Sequence, residues 1–259
     1  MVSMTETRAS GSQATDLAGK AIVITGGTTG IGRATAKLLA EEGARILIFG
    51  RHQPELDEAI SDAKGSRGEV HGLVADQSRN DEIQRVFAEA DKHIGGCDIL
   101  INNAAVGLGS FLETKYEDWL YEIQTNLVAY IACCRYAIDR MRPRGAGHIV
   151  NIGSMSADLR EPNNDVYVAT KAGIQGFTES LRKNVNKENI RVTLIEPGAV
   201  ATELPTHITH KATRQGVEQL YSQVTVTAED IAEVIAFAVN RPRHLAINEI
   251  LLRPASQER

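Results

Sequence analysis

Alternation restricts the fold of this chain more than any other feature. Short apolar, β-branched runs recur along it: "KAIVIT" (20–25), "RILIF" (45–49), "EVHGLVA" (69–75), "CDILIN" (97–102), "GHIVNIG" (147–153) and "IRVTLIE" (190–196). Between them lie stretches of helical period at 31–42, 54–63, 79–93, 117–141 and 166–186. A strand that is apolar on every residue must be covered on both faces, and intervening helices are long enough to supply the cover. The expected fold is α/β, a doubly wound parallel sheet with helices on both faces, in a single domain. "AEDIAEVIAFAVN" (228–240) adds a helix and "NEILLR" (248–253) a last strand. The segment 203–226 is polar, irregular and longer than a connection requires, which predicts a substrate lid.

Composition narrows the function classes. With 259 residues the chain can bury one deep core, and residues 17–259 read as that domain behind a small, polar, flexible tail (1–16). A net charge of -5 argues against nucleic acid, which wants a basic face. No apolar run approaches the roughly 18 residues of a membrane span, and the first residues lack the apolar core of a secretory signal. Cys97, Cys133 and Cys134 are odd in number, show no metal spacing, and include an adjacent pair in an apolar stretch. At least one should be buried and reduced, and the compartment this implies is the cytoplasm.

In a sheet of this type, ligands bind beyond the carboxyl ends of the strands. The first strand runs into "TGGTTGIG" (25–32), which sets Gly26, Gly30 and Gly32, with Thr28, Thr29 and Ile31 between them, on the turn that opens the first helix. Glycine permits a tight turn and close backbone approach to a pyrophosphate, which the helix N-terminus also attracts. A dinucleotide is therefore the expected cofactor. If it were NAD, a carboxylate would be wanted at the end of strand two, to accept from the ribose 2′-hydroxyl. That position is Gly50, followed by Arg51 and His52. Arginine offers a planar fork to a 2′-phosphate, so NADP(H) is favoured over NAD(H). Arg51 as a plain strand-end charge is the competing reading.

Farther along, "DVYVATKAG" (165–173) spaces Tyr167 and Lys171 four apart, on one face of a helix. Taken alone, such a pair is ordinary. Together with the Gly-x3-Gly-x-Gly spacing, however, it resembles the short-chain dehydrogenase/reductase family, and the resemblance extends from 18 to 253. "NNAA" (102–105), "TNL" (125–127), "VNIGS" (150–154) and "EPGAVAT" (196–202) match further family motifs in the right order, Ala105 standing where the family has glycine. The ending, "INEILLRPASQ", is similar to the branch containing clavulanate and 3-hydroxy-acid dehydrogenases.

The resemblance implies roles. Tyr167 would be the general acid–base of a hydride transfer between NADP(H) and a small-molecule carbonyl or secondary alcohol. Lys171 would lower the Tyr167 pKa and bind the nicotinamide ribose. An ammonium roughly 4 Å away at an effective dielectric near 20 favours a phenolate by about 4 kcal/mol, on the order of three pKa units. Ser154 would hold the substrate oxygen and Asn126 would anchor a water linking Lys171 to solvent. Asn103, Pro197, Gly198, Val200 and Thr202 would contact the cofactor, as would Asp76 by capping the adenine, although Asp76 also reads as the N-cap of the next helix. Ser156 and Arg160, in "SADLREPNND" (156–165), would face substrate, Arg160 as a bidentate partner for a carboxylate or as a solvent-exposed ion pair. The long helices 117–141 and 166–186 resemble those that pair in family homodimers and homotetramers. A lyase or epimerase using the nicotinamide transiently is the alternative within enzymes. A non-catalytic cofactor-sensing protein is the alternative outside them.

Overall fold

The computed structural model describes residues 16–201 and 226–257. Thr202, the N-terminal segment 1–15 and nearly all of the expected lid (203–225) lie outside the described residues. Seven parallel strands form one sheet in the order β3-β2-β1-β4-β5-β6-β7. They are β1 (Ala21–Thr25), β2 (Arg45–Gly50), β3 (Glu69–Val74), β4 (Ile99–Asn102), β5 (Gly147–Ile152), β6 (Ile190–Pro197) and β7 (Glu249–Leu252). The helices are α1 (Gly30–Glu41), α2 (Gln53–Asp62), α3 (Asn80–His93), α4 (Tyr116–Ile123), α5 (Ala129–Met141), α6 (Ser156–Leu159), α7 (Asp165–Val185) and α8 (Ala228–Val239).

The continuous apolar strands are explained by their two-residue period. Ile22 and Ile24 of β1 point into a core made with Leu39 of α1 and Ile231 and Ile235 of α8. Ala21 and Val23 point the other way, onto Phe87 of α3, Cys133 and Ala137 of α5 and Leu181 of α7. Each strand therefore feeds two cores at once, as a covered parallel sheet requires. Edge strands β3 and β7, each covered less completely, are half-exposed. All three cysteines are free and buried. No helix among the described residues is long and apolar enough to cross a membrane.

The helix expected over 117–141 is interrupted. Gln124–Val128 forms a π-helical turn between α4 and α5, with Thr125 and Asn126 buried inside it. The cause is a tertiary clamp: Asn126 Oδ1 accepts from the Val106 N–H (2.9 Å), and its Nδ2 donates to the Val106 carbonyl (2.7 Å) and to Thr170 Oγ1 (3.3 Å). Single π-turns of this sort often sit at functional sites.

Topology then locates a crevice. From β1 the chain moves outward through β2 to β3, then returns to place β4 on the other side of β1. The connections leaving β1 and β4 diverge at their carboxyl ends, which opens a cleft there.

Candidate active site

The cleft has a volume of about 1070 Å³ and is lined from the carboxyl ends of β1, β2, β4, β5 and β6. Its floor is the glycine turn. Gly26 has φ +61°, and a Cβ there would lie 2.8 Å from Ala104 Cα, so both conformation and space demand glycine. A Cβ on Gly32 would run into the Gly26 carbonyl oxygen. Thr28, Thr29, Gly30 and Ile31 line the cleft. No side chain caps the N-terminus of α1, and no acidic residue occupies its first turn. Its unpaired N–H groups and its dipole therefore remain available to an anion.

Polar stitching holds this turn against β4. Thr25 Oγ1 accepts from the N–H groups of Asn103 and Ala104, both 2.9 Å, while Asn103 Nδ2 donates to the carbonyls of Thr25 and Gly26, both 3.1 Å. Buried Gln77 donates to the carbonyls of Ala104 (3.0 Å) and Thr125 (2.8 Å). Sequence alone does not reveal Thr25 or Gln77, because a strand threonine and a loop glutamine carry no local signal. Ala105 lines the cleft without a left-handed backbone, so the family's glycine is not needed at that position.

One end of the cleft is open and charged, with Glu55 and Asp76 lining it beside Arg51 and His52. Both basic residues are exposed. Arg51 Nη1 donates to the Tyr121 hydroxyl (2.6 Å), and its guanidinium lies 5.7 Å from that ring's centroid. Asp76 also lines this end. Its Oδ1 accepts from the Ser78 N–H (2.9 Å), whereas the N-cap of α3 is Arg79, so Asp76 is not that helix's cap.

The other end is closed. Tyr167 and Lys171, one turn apart on α7, are 7 % and 1 % exposed. Lys171 Nζ donates to the Ile152 carbonyl (2.8 Å) and lies 5.5 Å from the Tyr167 ring centroid and 5.4 Å from that of Tyr130. Burial pulls the lysine down to about 7, and the Glu196 carboxyl opposes that pull. Ser154, Ser156, Pro197, Gly198 and Val200 line the same end, and Ser154 Oγ accepts from the Ser156 N–H (3.1 Å).

One expectation changes. Arg160 does not line the cleft: it sits in a left-handed conformation after α6 and donates to the Ala157 carbonyl (3.2 Å), while its neighbour Glu161 faces the cleft. A short helix, invisible in the sequence pattern, turns the arginine away. Asn126, for its part, has both amide hydrogens taken by Val106 and Thr170. The Asn126 side chain thus holds the loop after β4 in place.

Comparisons with known proteins agree with this geometry. The family model for short chain dehydrogenases matches residues 20–213. An uncharacterised oxidoreductase of Staphylococcus saprophyticus is 34% identical over 241 residues, 92% of this chain and 97% of that protein. Carbonyl reductase family member 4 of Danio rerio is 39% identical over 192 residues, 73% of this chain and 79% of that protein. Among solved structures, the closed form of serine dehydrogenase complexed with NADP+ superposes with a TM-score of 0.83 at 30% identity, covering 92% of this chain and 96% of its own. L-sorbose reductase from Gluconobacter frateurii, complexed with NADPH and L-sorbose, gives 0.81 at 26% identity, covering 95% and 100%. This chain belongs to the short-chain dehydrogenase family of oxidoreductases.

Proposed function

We propose that the protein transfers a hydride between NADP(H) and the carbonyl or secondary alcohol of a small molecule, with Tyr167 as the general acid–base. The observation that carries this reading is the buried Lys171 ammonium, held beside the Tyr167 ring in a cleft that Ser154 also lines. In the reductive direction Tyr167 gives its proton to the substrate oxygen. The neighbouring ammonium, itself buried, stabilises the phenolate that remains. Ser154, whose hydroxyl can donate as well as accept, holds the same oxygen. Substrate would pack against Ser156, Leu159, Glu161 and Asn164.

The residues present suit a dinucleotide. A backbone cradle that a Cβ would fill, at Gly26 and Gly32, leads to the uncapped N-terminus of α1. The bound cofactor would supply the hydride acceptor or donor. NADP is favoured because Arg51 follows Gly50 at the end of β2, with no carboxylate at either position to repel a 2′-phosphate. The NADP-complexed neighbours support the same choice. Likeness to serine dehydrogenase, serine being a 3-hydroxy acid, makes 3-hydroxy and 3-oxo acids the first substrates to try. Exposed Leu120, Ile123, Val128 and Ile131 along α4 to α5 support a homodimer or homotetramer, checked by light scattering.

The test is direct. Purified protein is given NADPH or NADH with a panel of carbonyl compounds, and loss of reduced cofactor and the alcohol formed are followed together. Stoichiometric alcohol, formed faster with NADPH, is expected. Cofactor binding with no turnover across the panel would favour the sensing alternative, and product without net cofactor change a lyase or epimerase.

A further inference from the structure

Tyr121 has no part in the mechanism above, yet it fixes the arginine at the open end of the cleft. It stands in the last turn of α4, half-buried, and lines the cleft together with Thr125, one turn farther on in the π-helical turn. Its hydroxyl oxygen accepts from Arg51 Nη1 at 2.6 Å, and the guanidinium carbon lies 5.7 Å from the centre of its ring. One side chain thus offers the cation a hydrogen bond and an aromatic face at once. Arg51 follows β2, on one side of β1, and α4 follows β4, on the other side. The contact therefore joins the two walls of the crevice.

The kind of partner matters. Glu55 and Asp76 line the same end, yet the group that Arg51 bonds is the phenol. A carboxylate would grip the guanidinium by two hydrogen bonds but would also neutralise it. A phenol takes one N–H and leaves the charge, provided that the phenol itself stays neutral. Burial pushes the Tyr121 phenol up and outweighs the opposing pull of Arg51 and Thr125, with Asp76 adding to the push. The hydroxyl therefore keeps its proton at neutral pH. One N–H of Arg51 is spent on Tyr121, and the others remain for a bidentate contact to an anion. An exposed arginine without such a hold samples many rotamers, and a ligand would have to order it on arrival.

We propose that Tyr121 is a positioning residue for Arg51: its hydroxyl and ring preset the guanidinium, without neutralising it, for the 2′-phosphate of NADP(H), and so set how strongly that cofactor is preferred over NAD(H). This rests on the reading of Arg51 and NADP(H) given above. Loss of the hydroxyl should weaken only ligands that carry the 2′-phosphate, and only while Arg51 is present.

The experiment is calorimetric binding of 2′,5′-ADP and of 5′-AMP, which differ by that phosphate alone, to the whole chain. Wild type should bind 2′,5′-ADP the more tightly. Tyr121→Phe, which keeps the ring, should reduce the ratio of the two affinities by at least about threefold, the loss of one hydrogen bond, with 5′-AMP affinity kept within about twofold. In an Arg51→Ala background the same substitution should leave the ratio unchanged, which a merely structural role for the phenol would not produce. A ratio unchanged in Tyr121→Phe, a loss shared equally by 5′-AMP, or the same loss again without Arg51 would overturn the proposal. A wild type indifferent to the 2′-phosphate would defeat the NADP(H) reading along with it, whereas a wild-type preference that survives Tyr121→Phe would defeat this proposal alone. Since no carbonyl is present, a protein inactive on every carbonyl would leave this result standing.

Discussion

The two ends of the cleft are built differently. At the open end, Arg51 and His52 are exposed, and the contact that fixes the arginine is one hydrogen bond to Tyr121, a residue seventy positions away. At the closed end Tyr167, Lys171 and Glu196 are buried, and Lys171 donates to the Ile152 carbonyl. Charges near water act at high effective dielectric and are worth little each; buried charges act strongly and punish removal. Cofactor choice should therefore be adjustable by single changes, whereas the chemistry should not.

Lys171→Ala carries the largest expected effect. Loss of positioned acid–base catalysis is typically worth 10²–10⁴-fold, so turnover should drop by about 10³ or more, and NADPH binding should weaken with it. A variant that loses turnover while binding NADPH normally would split the two roles assigned to this ammonium. Next comes Asn126→Ala, which strands both polar groups of Val106 in a buried loop. It should cost about 2–4 kcal/mol in urea unfolding, and a loss under 1 kcal/mol would mean that the π-turn does not depend on this clamp.

At the open end, Arg51→Ala should lower the NADPH/NADH ratio of kcat/KM by about tenfold, the loss of one charge-assisted contact. Gly50→Asp should lower it further by adding repulsion, but at some cost in stability, because its Cβ would meet Thr28 Cγ2 at 2.7 Å. A wild-type preference for NADH would contradict the assignment of Arg51. The smallest effect lies away from both ends. His148 is buried against Thr193 Oγ1 (2.8 Å), and burial pushes it down to about 3. Its folded pKa lies below the unfolded value, so its contribution is complete above about 6.5 and is lost as pH falls below that. By pH 5.5 wild type should lose about 1 kcal/mol more than His148→Gln, compared by urea midpoints at pH 7.5 and 5.5.

Much of this was readable in the chain. The continuous apolar runs announced a sheet covered on both faces, the glycine turn marked the floor of the cleft, and the Tyr167–Lys171 spacing marked its closed end. What was hidden depends on distant partners. A hydrophobic period cannot reveal the π-turn, because Val106 and Thr170, from two other elements, impose it on Asn126. Arg160 looked like a substrate contact until a single turn of helix offered it the Ala157 carbonyl. Glu196 read as the last residue of a strand; its burial becomes visible only where β5 lies beside β6 and Gly153 makes room.

The central claim is that Tyr167 supplies the proton, and Tyr167→Phe tests it with the ring packing retained. NADPH affinity, thermal midpoint and NADPH consumption with the best carbonyl from the panel are measured on one preparation of each protein. The account predicts unchanged affinity and stability with turnover below about one per cent of wild type, the loss expected when a positioned acid is removed. Turnover within a few-fold of wild type, with the cofactor bound as before, would contradict it.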